Sequence, residues 1–280
     1  MTEISATLVK ELRDETNVGM MECKKALQEA GGDKAKAVKI LRERGMAIAE
    51  KKSSRAANQG MIASAILEDG RIGSLIEINC ETDFAAKNET FRNFVKAMAA
   101  KAAASDGALA DTAKAEITAK IAEIGENIIA RRNVRYTLSG NGLIAAYIHH
   151  GASIGVLLEI GCEKLATVQH AAFQDAAKDI CLHITAHSPA AVDPAGVSAD
   201  VVAAEREIYA KQVQGKPANI IGKIVEGKLG KFFEQVCLIE QAFVKDQEIK
   251  VKDYLKAKGA EAGDTFTVRR FVRFQVGEKI

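Results

Sequence analysis

Thr82-Asp83-Phe84 places a hydroxyl, a carboxylate and an aromatic ring directly after a strand-like apolar run, Leu75, Ile76 and Ile78, and just before a helix. Side chains in a strand-to-helix turn tend to be presented outward. An aromatic anchor with an acid beside it suits insertion into a protein partner. The alternative is that Phe84 closes the local core, as isolated aromatics usually do. His183 and His187 lie four apart on a predicted helix and share a face. They would chelate a metal if a third ligand joined them, but none is in evidence, and a partly exposed helix face is the simpler reading. Arg131-Arg132 and Arg269-Arg270 are candidate phosphate binders. Because they recur on equivalent strands, an outward sheet face is the better expectation. There is no GxxxxGK[ST] loop, and Gly140-Asn141-Gly142 lacks the third glycine and the helix of a dinucleotide fingerprint. No nucleophile elbow or metalloprotease motif occurs. Neither covalent chemistry nor a cofactor is expected.

What positions Thr82 to Phe84 is visible as a repeat. Gly60 to Glu81 and Gly142 to Glu163 align without a gap at an offset of 82, with 11 of 22 positions identical, where about one or two would match by chance. A second anchor, Arg131 to Tyr136 against Arg269 to Phe274, has an offset of 138, so the second copy carries 56 extra residues. The copies part directly after a shared Cys-Glu pair, where the second reads Lys164-Leu165-Ala166-Thr167. If Phe84 were needed to close the fold, its counterpart Ala166 should also be bulky.

Each copy opens with two strands. Met61 to Ile66 and Ile72 to Asn79 flank the turn signal Glu68-Asp69-Gly70; the second copy turns at His149-His150-Gly151. Phe91, Phe94, Val95 and Met98 form a helical stripe, a second helix follows near Lys114 to Gly125, and the arginine-rich strand returns. The fold class expected is α+β, helices packed on antiparallel sheets. Ahead of the repeats the first 45 residues read as three short helices joined through Asn17-Val18-Gly19 and Gly31-Gly32. The third is capped by Asp33 and ends at Gly45. The insert reads as a helical hairpin: Ser198 caps a helix carrying Val201, Val202, Ile208 and Tyr209. Gly215-Lys216-Pro217 turns the chain, and Ile220, Ile221, Ile224, Leu229 and Phe232 follow. The expected organisation is a helical bundle at 1–50, an exposed polar linker at 51–59 and core subdomains at 60–139 and 140–280. The second subdomain carries an arm at about 189–235.

Composition narrows the function. The 280 residues carry a net charge of +2, too small to imply a nucleic-acid partner. No apolar run approaches the roughly 20 residues that span a bilayer, and the polar N-terminus is unlike a signal peptide. Five scattered cysteines without a CxxC pair suggest reduced thiols in a cytoplasmic protein. Two other classes are less well supported: an RNA binder using the basic linker and arginine strands, and a metal-dependent enzyme built on His183 and His187.

Several blocks together match one family. They are Thr16-x-x-Gly19-Met20-Met21-x-Cys23-Lys24-Lys25-Ala26-Leu27, Asn79-Cys80-x-Thr82-Asp83-Phe84-x-Ala86-Lys87, and Ile124-Gly125-Glu126-Asn127-Ile128 with Arg131-Arg132. His150-Gly151-Ala152-x-Ile154-Gly155-Val156-Leu157 and Val225-Glu226-Gly227 complete the set. Over essentially its whole length the chain resembles the bacterial translation elongation factor Ts family; His149, Ser153 and Gly230 depart from the pattern mildly. The resemblance implies guanine-nucleotide exchange on elongation factor Tu, in its GDP-bound and nucleotide-free forms. It implies no direct binding of nucleotide, DNA or membrane, and leaves room for a homodimer through core or arm. It implies a ubiquitin-associated-like N-terminal bundle and a protruding coiled coil. It also assigns Thr82, Asp83, Phe84 and Ala85 to displacement of Mg2+ from the GTPase, and Lys24, Ile124, Gly125 and His150 to further partner contacts.

Overall fold

The computed structural model describes residues 4–16, 18–213 and 218–279. Asn17 of the first predicted turn, and the predicted turn at residues 215–217, lie outside them.

Three helices lead: α1 (Ala6–Thr16), α2 (Met20–Glu29) and α3 (Lys34–Lys52). They bury Leu12, Cys23, Leu27 and Leu41 among themselves. Asp33 caps α3 as expected, accepting from the Lys36 N–H at 3.0 Å. The expected stop at Gly45 does not occur. The helix runs on to Lys52, with Gly45 buried against α7 (Lys114–Ile124), where an added Cβ would lie 3.5 Å from that of Ala122. Gly45 marks a close helix crossing, and its distal half belongs to the packing of the first repeat, where Ala49 joins the core.

The first repeat comprises β1 (Gln59–Leu67), β2 (Ile72–Cys80), α4 (Asp83–Lys87), α5 (Glu89–Ala104), α6 (Leu109–Thr112), α7 and β3 (Ile129–Thr137). The second comprises β4 (Gly142–Ile148), β5 (Ile154–Gly161), α8 (Ala171–His187), α9 (Ala199–Gln212), α10 (Ala218–Val236), β6 (Ala242–Phe243), β7 (Asp246–Lys250), α11 (Val251–Ala262) and β8 (Thr267–Gln275). Each has an antiparallel three-stranded sheet, ordered β1-β2-β3 and β4-β5-β8. The fold is α+β.

Alternation along the strands sends side chains to two different cores. Met61, Ala63, Ile76 and Ile78 meet α5 and α7, and Leu143, Val156, Leu158 and Ile160 meet α8 and α11. The opposite faces, Ile62, Leu75 and Tyr136 on one sheet and Ile144, Leu157 and Phe274 on the other, pack together. The core is thus a helix-sheet-sheet-helix sandwich with central strands covered on both sides. Gly73 and Gly155 permit this approach: an added Cβ would lie 2.5 Å from Ile144 Cγ2 or from Ile62 Cγ2, respectively.

The arginine pairs correct one expectation. They do not face outward but clamp carboxylates on the central strands. Glu77, fully buried, receives Arg132 Nε at 2.7 Å and Arg131 at 3.0 Å; Glu159 receives Arg270 Nε at 2.7 Å and Arg269 at 3.2 Å. Each cluster reaches across the pseudo-twofold. Arg132 stacks on Phe274 and donates to the Gln275 carbonyl, while Arg270 stacks on Tyr136 and donates to the Thr137 carbonyl. Burial alone would raise the Glu159 carboxyl. The Ser139 N–H and the two guanidiniums outweigh it and hold the group below its usual range.

Between α8 and β6 the chain leaves and re-enters at one place: Leu238 N–H donates to Ala191 O at 2.9 Å, and Ala190 N–H to Val236 O at 2.8 Å. Beyond this neck α9 and α10 pack through Val202, Tyr209 and Val213 against Ile221, Val225 and Leu229. Of the four apolar residues read on the first arm helix, Val202 and Tyr209 take the inner face, while Val201 and Ile208 are exposed.

Candidate functional site

The Cys80–Lys87 segment is built from the backbone outward. β2 ends at Cys80, whose thiol donates to Thr82 O at 3.2 Å. Thr82 is the N-cap of α4, its Oγ1 accepting from the Ala85 N–H at 3.2 Å. Glu126, just past α7, grips the same turn from below. Its Oε2 accepts from the Glu81 and Thr82 N–H groups, each at 3.0 Å, and its Oε1 accepts from the Thr82 hydroxyl at 2.6 Å. Glu81 in turn accepts from the Asn127 N–H at 2.7 Å, which, with Arg55, holds its carboxyl below the usual range.

On this platform the four candidate residues divide. Ala85 is buried in the core of the first repeat. Thr82 is spent on the cap. Asp83 points outward and pairs with Lys87 at 2.7 Å, which lowers its carboxyl pKa. Phe84 is 82% exposed, more than any other large hydrophobic side chain among the described residues. The reading that Phe84 closes the local core is therefore excluded.

The other candidates are placed as follows. Ile124 ends α7 and Gly125 is its left-handed C-cap (φ 80°), directly before Glu126, so this pair adjoins the Thr82 turn. Lys52 at the end of α3 donates to the Gly125 carbonyl, and the Asn127 side chain donates to Arg55 O at 2.8 Å, joining the leading helices to the same knot. His150 is exposed in the turn between β4 and β5. That turn docks on the first repeat, with Ile62 N–H donating to Ala152 O at 2.8 Å and Ala152 resting on the core that holds Ala85. Lys24 is exposed on α2, among the leading helices.

His183 is not placed for metal binding. It is buried, its Nε2 is 2.9 Å from Gln241 Oε1, and its Nδ1 accepts from the Val244 N–H at 3.1 Å. Burial pushes its pKa down to about 4. Among the described residues no group of three potential metal ligands comes together, and no helix is long and apolar enough to cross a membrane.

Sequence reasoning missed the role of Glu126, although a signal existed. At the 138-residue offset it corresponds to Asp264, and both acids follow a glycine. Asp264 accepts from the Thr167 hydroxyl at 2.5 Å and from the Glu163 and Lys164 N–H groups at 3.1 and 3.0 Å. The Thr167 hydroxyl and these N–H groups hold its carboxyl down to about 2.

A bulky ring held clear of the surface on a hydrogen-bonded turn is the type of side chain that anchors protein–protein interfaces. Residues 81–278 match the family model described as Elongation factor TS. Elongation factor Ts of Nitratidesulfovibrio vulgaris (strain DP4) is 42% identical over 277 residues, covering 98% of this chain and 96% of that one. That of Clostridium botulinum (strain Alaska E43 / Type E3) is 41% identical over 290 residues, covering 99% and 94%. The chain belongs to the elongation factor Ts family, the guanine-nucleotide exchange factors that serve elongation factor Tu in translation elongation.

Proposed function

We propose that the exposed Phe84 is the wedge of the exchange reaction, entering a gap between helices of elongation factor Tu while Asp83 helps hold the shifted arrangement. Mg2+ there bridges phosphate and protein, so a small shift of its ligands removes much of the affinity for GDP. Ile124 and Gly125 abut the same turn and extend the contact. His150 and Lys24 add contacts from the second repeat and from the leading bundle, which we read as a ubiquitin-associated-like docking module. The α9–α10 hairpin acts as a coiled-coil arm, reaching the GTPase or a second copy of this chain, and the protein works in the cytoplasm. We divide the chain as its sequence suggests, into 1–50, 51–59, 60–139 and 140–280, with the arm from about 189 to 235, although α3 runs on to Lys52 and packs its distal half on the first repeat.

The observation that carries this reading is the 82% exposure of Phe84 on a hydrogen-bonded turn. An exchange factor must bind the nucleotide-free GTPase better than the GDP form, and by linkage GDP weakens factor binding by the same ratio. Burying one phenylalanine yields about 1.5 to 3 kcal/mol, roughly one to two decades of affinity. A larger change requires the wider surface as well. The test is release of fluorescent GDP from the cognate elongation factor Tu. Phe84→Ala should slow release at saturating factor more than it weakens complex formation. Chelating Mg2+ should shrink the gap between wild type and variant. A gap equally wide without Mg2+ would detach Phe84 from the metal.

A further inference from the structure

We propose that Glu126 is a positioning residue for exchange, holding the Phe84 turn at the angle at which the ring can enter the partner; this rests on the reading of Phe84 given above. Three observations support it. First, Glu126 reaches across 44 residues of sequence to take both backbone N–H groups at the start of the turn and the hydroxyl of its cap. Phe84 itself, being 82% exposed, has little packing of its own to fix its direction. Secondly, Glu126 lies between the partner-facing candidates on α7 and the turn: it follows Gly125 directly, and Asn127 after it holds Glu81. Displacement of its carboxylate would release both sides of the site together. Thirdly, Lys52 and Arg55 tie the end of the leading helices to Gly125, Glu81 and Asn127. The knot around Glu126 therefore links three stretches of chain that carry proposed contacts.

Asp264 takes the two equivalent backbone N–H groups in the second repeat, with a hydroxyl from Thr167 in place of the cap hydroxyl of Thr82, under a turn with Ala166 in place of Phe84. This provides an internal control. If the acid only stabilises its repeat, the two positions should behave alike. If Glu126 also aims the ring, only its loss should impair exchange.

The experiment uses the full chain and cognate elongation factor Tu loaded with fluorescent GDP, well below the melting temperature. It compares Glu126→Ala, Glu126→Gln, Asp264→Ala and Phe84→Ala. Both alanine clamp variants should melt earlier. Glu126→Ala should reduce the release rate at saturating factor by roughly tenfold or more, since an ångström of misplacement can cost a hundredfold. Asp264→Ala should leave that rate within about twofold of wild type, against the tenfold expected of misplacement. Glu126→Gln keeps a carbonyl oxygen for the two N–H groups and should recover most of the rate. If Glu126→Ala fails to fold, Glu126→Asp, which keeps the charge but shortens the reach to the turn, carries the test: release as fast as wild type by this variant, with Phe84→Ala slow, would overturn the positioning role. Equal release by the Glu126→Ala and Asp264→Ala variants, with Phe84→Ala slow, would overturn the positioning role alone. Full release by Phe84→Ala would instead overturn the wedge on which it rests.

Discussion

The turn at Thr82–Lys87 and the turn at Lys164–Gln169 occupy the same place in two copies of one fold, yet they present different surfaces. Both follow a Cys-Glu pair, both cysteine thiols donate to a carbonyl two residues on, and both are gripped by an acid from beyond the last helix. Above that shared base one carries an exposed Phe84 and the other Leu165-Ala166, with Leu165 exposed at 67%. The fold requires the grip; it does not require the ring. A duplicated scaffold thus separates what holds the protein together from what it presents at its surface.

The strongest challenge to the equivalence of the copies is removal of a central-strand carboxylate. Glu77→Ala or Glu159→Ala removes a buried carboxylate, leaves two partly exposed guanidiniums without their partner and should cost about 3 kcal/mol, the low end for a broken buried pair, read by denaturant unfolding. The two losses should be similar; a much smaller loss at one would show that the pseudo-symmetry is geometric only. Next, Gly73→Ala and Gly155→Ala force a methyl group into the opposing sheet and should each cost about 1 to 3 kcal/mol. The comparison of the turns is sharpened by exchange of side chains: Phe84→Ala should scarcely move the melting temperature, and Ala166→Phe should not restore nucleotide release to it.

Acid should distinguish two hydrogen-bonded groups in the second repeat, the buried His183 and the partly exposed Asp264. His183, with its pKa lowered from 6.5 to about 4, contributes stability that is complete above pH 6.5 and is lost as pH falls towards 4. Asp264, held at about 2 from 3.8, contributes stability present above pH 3.8 and lost only below it. Melting temperature should therefore begin to fall on acidification below pH 6.5, and His183→Gln should flatten that first decline. The smallest effect is in the arm. Gly222, Gly227 and Gly230 face open space within α10, so replacing each by alanine should stabilise the helix by about 1 kcal/mol, detectable by thermal melting.

The duplication, the hairpin that opens each copy and the prominence of Phe84 were legible because they rest on identity or on short-range alternation. The direction of the arginine pairs was not. The arginines lie on the edge strands β3 and β8, and nothing in the spacing of Arg131 and Arg132 reveals that a second sheet stacks there. Gly45 misled because a glycine in a helix marks either an end or a close crossing, and only the partner, Ala122, decides. The Glu126 grip spans 44 residues, so it was open only to a comparison of the two repeats at both offsets. In the arm, adjacent apolar residues such as Val201 and Val202 left the inner face undetermined.

The reciprocal clamps also bear on ancestry. Arg132 of one repeat closes over Phe274 of the other, Arg270 over Tyr136, and Glu77 and Glu159 each accept an N–H from the opposite half's end, Gly277 and Ser139. Residue i of one half meeting j of the other, and j meeting i, is the signature of an isologous dimer. The present chain is thus the form expected of a self-pairing single-repeat protein whose two copies were fused, after which one was free to acquire a ring at its turn and the other to accept an insertion.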